Sequence, residues 1–177
     1  MKLKQFNFKK VKSTNQTAIR LIRKYKKFGL IISETQTNGK GQYGRKWISY
    51  KGNILLSFFY RLEKINMTTK LLTKKNCFLV KNVLSKYYKK KITFKSPNDL
   101  LIGKAKICGI LQEKIENFNN KYLVVGIGLN LIKSPDIANY PTTNLLKITN
   151  QKVNKKKFVK ELKITFEKFL SKYYKTS

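Results

Sequence analysis

Apolar positions along the chain switch between a helical and an alternating period, and each switch predicts an element. Between residues 13 and 28, Ala18, Leu21, Ile22, Tyr25 and Phe28 share one helical face. Ser13 or Thr14 stands where a cap is wanted, and Gly29 is expected to end the helix. A short apolar strand follows at 30–33, then a polar loop over 36–47, then a strand dense in Leu, Phe and Tyr over 53–62. A second helix is predicted over 68–89, with Leu71, Leu72, Phe78, Leu79, Val83 and Leu84 as its apolar set. The middle turns to β: Ile92 to Phe94, then a hairpin of Leu100 to Ile102 and Ile107 to Ile115 about Gly103-Lys104. After a turn at 117–120, Tyr122 to Ile132 is a nearly continuous apolar strand. Its Gly126 and Gly128 are costly there unless something approaches closely. A last helix over 153–174 turns Phe158, Leu162, Phe166, Phe169 and Tyr173 inward. With no linker or repeat between these elements, the expected fold class is α/β (α+β): one domain, with a single mixed central sheet and flanking helices.

Composition narrows the chemistry. The 177 residues include 40 Lys+Arg against 8 Asp+Glu, no His and two Cys. Absence of histidine excludes Ser-His-Asp and Cys-His nucleophile systems and every His-ligated metal site. Cys77 and Cys108 are too far apart in sequence for a zinc framework and suit a reducing compartment, so a cytoplasmic location is expected. No apolar run reaches the ~18–20 residues of a membrane span, so no membrane partner is expected. The net charge of +32 suggests nucleic acid, but the basic residues are nearly all Lys, with Arg only at 20, 23, 45 and 61. Arg is the residue suited to bidentate phosphate and base recognition. A mutational bias toward A/T-rich codons accounts for the abundant Lys, Asn and Ile and the scarce Ala together, so no specific nucleic-acid partner is expected.

Polar residues gather in three places where packing alone would not put them. Gln36 to Trp47 holds Gly39, Gly41 and Gly44 with Lys40, Arg45 and Lys46. Such a loop can offer backbone N–H groups and charge to an anion, though it lacks the spacing of a Walker A motif. Lys95-Ser96-Pro97-Asn98-Asp99 ends a strand, and Lys106 opens an apolar one, which puts its ammonium at the sheet rim or in a polar cleft. Asn130 closes the strand that carries Gly126 and Gly128, and wants a hydrogen-bond partner.

In this order, Ser13-Thr14-Asn15, the Gln36 to Trp47 loop, Pro97-Asn98-Asp99-Leu100 with Lys106, Gly109-Ile110-Leu111 and Glu113, and Gly126…Gly128…Asn130 resemble the catalytic domain of biotin–protein ligases. The resemblance covers nearly the whole chain. It implies a class II aminoacyl-tRNA synthetase-like, biotin–lipoate ligase-like fold and a two-step reaction. Biotin and Mg-ATP form biotinyl-5′-AMP, whose acyl group passes to a lysine of a biotin carboxyl carrier domain. By that resemblance Ser13, Thr14, Asn15, Gln36, Gly39, Lys40, Gly41, Lys106 and Gly109 bind biotin. Lys40, Gln42, Arg45, Trp47, Lys95, Asn98, Asp99 and Asn130 bind ATP or the adenylate. Lys106 and Arg45 are the catalytic choices, and no fixed metal site is implied, with Asp99 the one candidate magnesium contact. Family members often pair through a sheet edge, so a homodimer is compatible with the resemblance.

Three departures accompany it. Gln42 stands where the family's Gly-Arg-Gly-Arg has its second arginine, and Ser96 stands for an aromatic residue before Pro97. The chain is also expected to lack both an N-terminal helix-turn-helix domain and a C-terminal β-barrel. The alternatives are a lipoate or octanoate ligase or transferase of the same fold, and a basic nucleic-acid-binding module without ligase activity.

Overall fold

The computed structural model describes residues 1–174. Seven strands form one sheet in the order β1-β2-β3-β7-β6-β5-β4, where β1 is Gln5–Val11, β2 Gly29–Gln36, β3 Ile54–Arg61, β4 Ile92–Lys95, β5 Asp99–Ile102, β6 Ala105–Asn117 and β7 Asn120–Leu129. The pair β1–β2 is parallel and the other neighbours are antiparallel, so the sheet is mixed, as the sequence predicts. A parallel pair needs a crossover, and α1 (Thr14–Arg23) supplies it.

Strand β1 is absent from the sequence reading. Its alternation of Phe6 and Phe8 with Gln5 and Asn7 is too short, at a sheet edge, to stand out from the lysines around it. Helix α1 is shorter than expected. It closes at Arg23 with Tyr25 in the left-handed region (φ 63). Tyr25 N–H donates to Ile22 O and Lys26 N–H to Leu21 O, the two bonds of a Schellman cap. Tyr25 is therefore 71% exposed rather than on the buried face. Gly29 does not end that helix: it opens β2, where the Phe59 ring lies only 2.5 Å from where a Cβ would stand.

Strand β3 is buried on both faces, which explains its unbroken apolar run. Leu56, Phe58 and Tyr60 enter the larger core beneath α2 (Thr69–Leu84) and α4 (Lys155–Ser171), and Phe59 enters the smaller core beneath α1. Phe58 stacks on Phe166 of α4 with ring centroids 3.9 Å apart. Thr68 caps α2 by accepting from Leu71 N–H. Within α2 the sequence misplaced two side chains: Leu71 and Phe78 point outward, and Asn76, Cys77 and Val80 fill the buried face instead. In α4 the four predicted phenylalanine and leucine positions are buried, while Tyr173 is only partly so. β7 ends at Leu129, so residues 130–132 leave the sheet and lead to a short helix α3 (Leu145–Thr149) that the sequence reading did not anticipate.

Both cysteines are free and buried in the larger core. Burial pushes the Cys77 thiol up to about 12 and Cys108 well above its ordinary value, so both behave as packing groups. Among the described residues no helix is long and apolar enough to cross a membrane.

Candidate active site

A cavity of about 620 Å³ opens at one end of the sheet, where the N-terminus of α1, the 39–47 loop and the segment after β7 converge. Of the residues singled out from sequence, Ser13, Thr14, Asn15, Gln36, Lys40, Gly41, Gln42, Arg45, Trp47, Lys95, Asn98, Asp99, Lys106, Gly109 and Asn130 all line it. Gly39 lies behind the wall. A Cβ there would stand 2.6 Å from Trp47 O and 2.9 Å from Gln36 Nε2, so glycine is required for the loop to lie flat on Gln36.

The glycine-rich segment is a pinned flap rather than a loose loop. Trp47 N–H donates to Gly39 O at 2.9 Å and Gly41 N–H to Arg45 O at 2.7 Å. Tyr43 and Gly44, both at positive φ, turn its tip. Lys40, Arg45 and Lys46 stay exposed around the cavity mouth, and Trp47 is swung inward. Its indole lies over Gly109 of β6 and Gly128 of β7, which are register partners. The close approach signalled by the strand glycines is thus a side chain in each case, Trp47 over Gly128 and Asn15 over Gly126. The indole Nε1–H is buried without an acceptor among the described residues.

Lys106 reaches this floor because of a bulge. Asp99 pairs with Gly109 and Leu100 with Cys108, but Leu101 pairs with Lys106, so Ile107 is the extra residue. Ile107 and Cys108 both enter the larger core, and Lys106 comes round to the same face as Gly109. Its ammonium sits 2.9 Å from Asp99 Oδ1, 5.4 Å from the Trp47 ring centre and 5.6 Å from that of Tyr140. The contact with Oδ1 is ionic rather than a well-directed hydrogen bond. Tyr140 donates its hydroxyl to Asp99 Oδ2 at 2.7 Å. Desolvation, then the Asp99 carboxylate, push that phenol up to about 12, so it is a donor throughout the neutral range.

Tyr140 was not found from sequence, because it sits in an irregular segment with no period. That segment is held by Asn130 and Asn53. Asn130 Nδ2 donates to Thr143 O and its Oδ1 accepts from Asn53. Asn53 Oδ1 in turn accepts from the N–H groups of Leu131, Ile132 and Lys133. Asn98 Nδ2 is likewise spent on Ile110 O at 2.7 Å. Both amides therefore build the cavity wall with at least part of their hydrogen-bonding capacity. Lys95 lies near Tyr140, its ammonium 4.8 Å from the ring centre.

The opposite end of the cavity is uncharged at its surface. Thr14 N–H donates to Gln36 Oε1 at 2.7 Å, with Thr14 Oγ1 3.1 Å from the same oxygen. Behind it Ser57 of β3 contacts Thr14 Oγ1 and Asn15 Oδ1, and Asn15 Nδ2 donates to Glu113 at 2.6 Å. Ser57 was also missed. A serine inside an apolar strand carries no signal in one sequence.

The arrangement offers a neutral amide and hydroxyl wall at one end, a lysine over an aromatic floor in the middle, and free cations at the mouth. That suits a small polar ring whose charged tail meets a phosphate. Among the described residues no cluster of three or more His, Cys, Asp or Glu could hold a metal. Both oxygens of Asp99 are already engaged, so the donor set offers no preformed magnesium site; the ion would have to arrive with a triphosphate.

Residues 7–130 match the family described as the biotin/lipoate A/B protein ligases. The chain is 34% identical to the bifunctional ligase/repressor BirA of Escherichia coli over 123 residues, which are 68% of this chain and 38% of that protein. It is 29% identical to the protein of the same name from Bacillus subtilis, over 88% of this chain and 50% of that one. The chain thus spans half or less of these relatives' length. Its fold matches a mutant biotin protein ligase from Aquifex aeolicus in complex with biotin, with TM-score 0.80 and 26% identity, over 100% of this chain and 74% of the other.

Proposed function

The chain belongs to the biotin/lipoate A/B protein ligase family, and on that premise we propose that it activates biotin with ATP and transfers it to a lysine of a biotin carboxyl carrier domain. The observation that carries this reading is one cavity joining the Thr14–Gln36 wall to the Lys106 ammonium. A urea ring fits the first, and the carboxylate of its side chain would meet the second.

In the first step a carboxylate oxygen attacks the α-phosphate of ATP and pyrophosphate leaves. Negative charge approaches negative charge, so neutralisation matters more than proton transfer. Lys106 would stand between the two groups, with the substrate carboxylate taking the place of Asp99 beside its ammonium. Arg45 and Lys40 at the mouth would hold the outgoing phosphates, and magnesium bound with the triphosphate would supply further screening. Holding the two reactants in line is worth on the order of 7–11 kcal/mol. Trp47, whose Nε1–H has no acceptor among the described residues, would pack on the adenylate and close it from water. In the second step a carrier lysine attacks the acyl carbon and AMP leaves. No enzyme nucleophile takes part.

Biotin-dependent exchange of pyrophosphate into ATP tests the first step without needing the carrier. Lys106→Ala should lower it about 10²- to 10³-fold, the loss typical of one preorganised charge-stabilising group. Exchange supported by lipoate or octanoate in place of biotin would move the chain to the other branch of its family.

A further inference from the structure

Ser57 and Glu113 do not line the cavity, yet they fix which way protons point in its wall. Asn15 Nδ2 faces two acceptors, the Glu113 carboxylate at 2.6 Å and Leu111 O at 3.3 Å, so the amide cannot be turned over without setting oxygen against oxygen. Its Oδ1 is thereby committed to accept, and among the described residues Ser57 Oγ–H donates to it at 2.6 Å. The single proton of Ser57 is then spent. Thr14 Oγ1 has one proton for two contacts, Ser57 Oγ at 2.8 Å and Gln36 Oε1 at 3.1 Å; the shorter contact takes it, because Gln36 Oε1 is already supplied by Thr14 N–H. With the Thr14 proton held by Ser57, what remains on the cavity side among the described residues is Thr14 Oγ1 and Gln36 Oε1, two oxygens 3.1 Å apart that can both accept from a ligand.

We propose that Ser57 and Glu113 are positioning residues that polarise this relay, making Thr14 and Gln36 an acceptor pair for a ligand N–H and so selecting a cyclic urea over a dithiolane. The relay runs from an anionic end that can only accept, through Asn15, Ser57 and Thr14, to the ligand. Ser57 is fully buried, so at the middle of the relay water offers no alternative partner. Gly126 leaves the room that Asn15 needs to lie against the sheet. A urea ring supplies the missing proton; a dithiolane carries no N–H. This inference rests on biotin being the substrate.

The test is calorimetric binding of biotin, of biotin N-methylated on the ureido ring, and of lipoate to the wild-type chain and to Ser57→Ala and Glu113→Gln variants. Ser57→Ala should weaken biotin about tenfold, equivalent to about 1.4 kcal/mol, and leave lipoate within twofold. Glu113→Gln, which leaves only the longer contact to Leu111 O to hold the amide's orientation, should weaken biotin about three- to fivefold. Methylation should cost the wild type more affinity than it costs either variant. Unchanged biotin affinity in both variants, or an equal methylation penalty in all three proteins, would overturn the relay. Melting curves report whether Ser57→Ala folds; if it does not, Glu113→Gln at its partly exposed site decides. Wild-type protein that binds lipoate but not biotin would instead remove the biotin reading on which this inference rests.

Discussion

At Gly128 a single methyl group would reach the Trp47 indole, and at Gly109 a Cβ would lie 2.8 Å from the same ring. Neither contact can relax by rotating a flexible side chain, because the ring lies between the sheet and the pinned flap. Gly128→Ala should therefore destabilise the fold by about 1–3 kcal/mol, as overpacking does, and also displace the floor of the cavity. Urea unfolding and pyrophosphate exchange, measured together, should both fall; loss of stability with normal exchange would mean that Trp47 is not part of the working site. Tyr140→Phe makes a complementary prediction. It removes the donor from a carboxylate that also steadies Lys106, leaving a largely buried oxygen unpaired at a cost of about 1–3 kcal/mol. Exchange should drop several-fold, while a variant equal to wild type would show the phenol to be a bystander.

One element positions the cavity and another holds the sheet beneath it. The segment after β7 hangs on Asn53, whose side chain bonds three successive N–H groups and Lys133 O. Asn53→Ala should loosen that segment and raise the KM for ATP more than that for biotin, because Tyr140 lies near the Lys106 end and far from the Thr14 wall. Equal changes in both constants would argue that the whole cavity had shifted. Helix α4 acts from the other face of the sheet. Phe166→Ala should cost about 3–5 kcal/mol through the lost stack on Phe58, visible as a lower urea midpoint, with the KM values of the surviving folded protein unchanged.

Over the whole molecule, eight acidic residues face forty basic ones, and the ion pairs the structure forms are mostly at the surface. Self-repulsion should dominate at low salt, where the screening length is about 30 Å, and fade near physiological strength, where it is about 8 Å. The melting temperature should rise over that range; a flat profile would show that the lysines lie too far apart to matter. At high pH the sign reverses. Burial raises Tyr87 and Tyr140 from 10.0 to about 12 and Cys77 from 9.0 to about 12. Each group therefore contributes stability that is whole below its ordinary value and is lost as pH climbs toward 12. Urea midpoints should fall between about pH 9 and 12, even as the falling lysine charge relieves repulsion. By itself the sequence determined the mixed α/β class, the long central strands and α4 with its buried face, because apolar period is a local signal; fifteen of the cavity residues were legible through ordered motifs that resemble the biotin–protein ligases. Tertiary structure alone decided three things. The Ile107 bulge brings Lys106 round to Asp99, and a one-residue slip that reverses a side chain leaves no mark in composition or period. Ser57 became the hinge of a buried relay because β3 is covered on both faces, so even its polar side chain is enclosed. Tyr140 joined the site from a segment without period, carried there by two asparagines whose hydrogen bonds span distant parts of the chain.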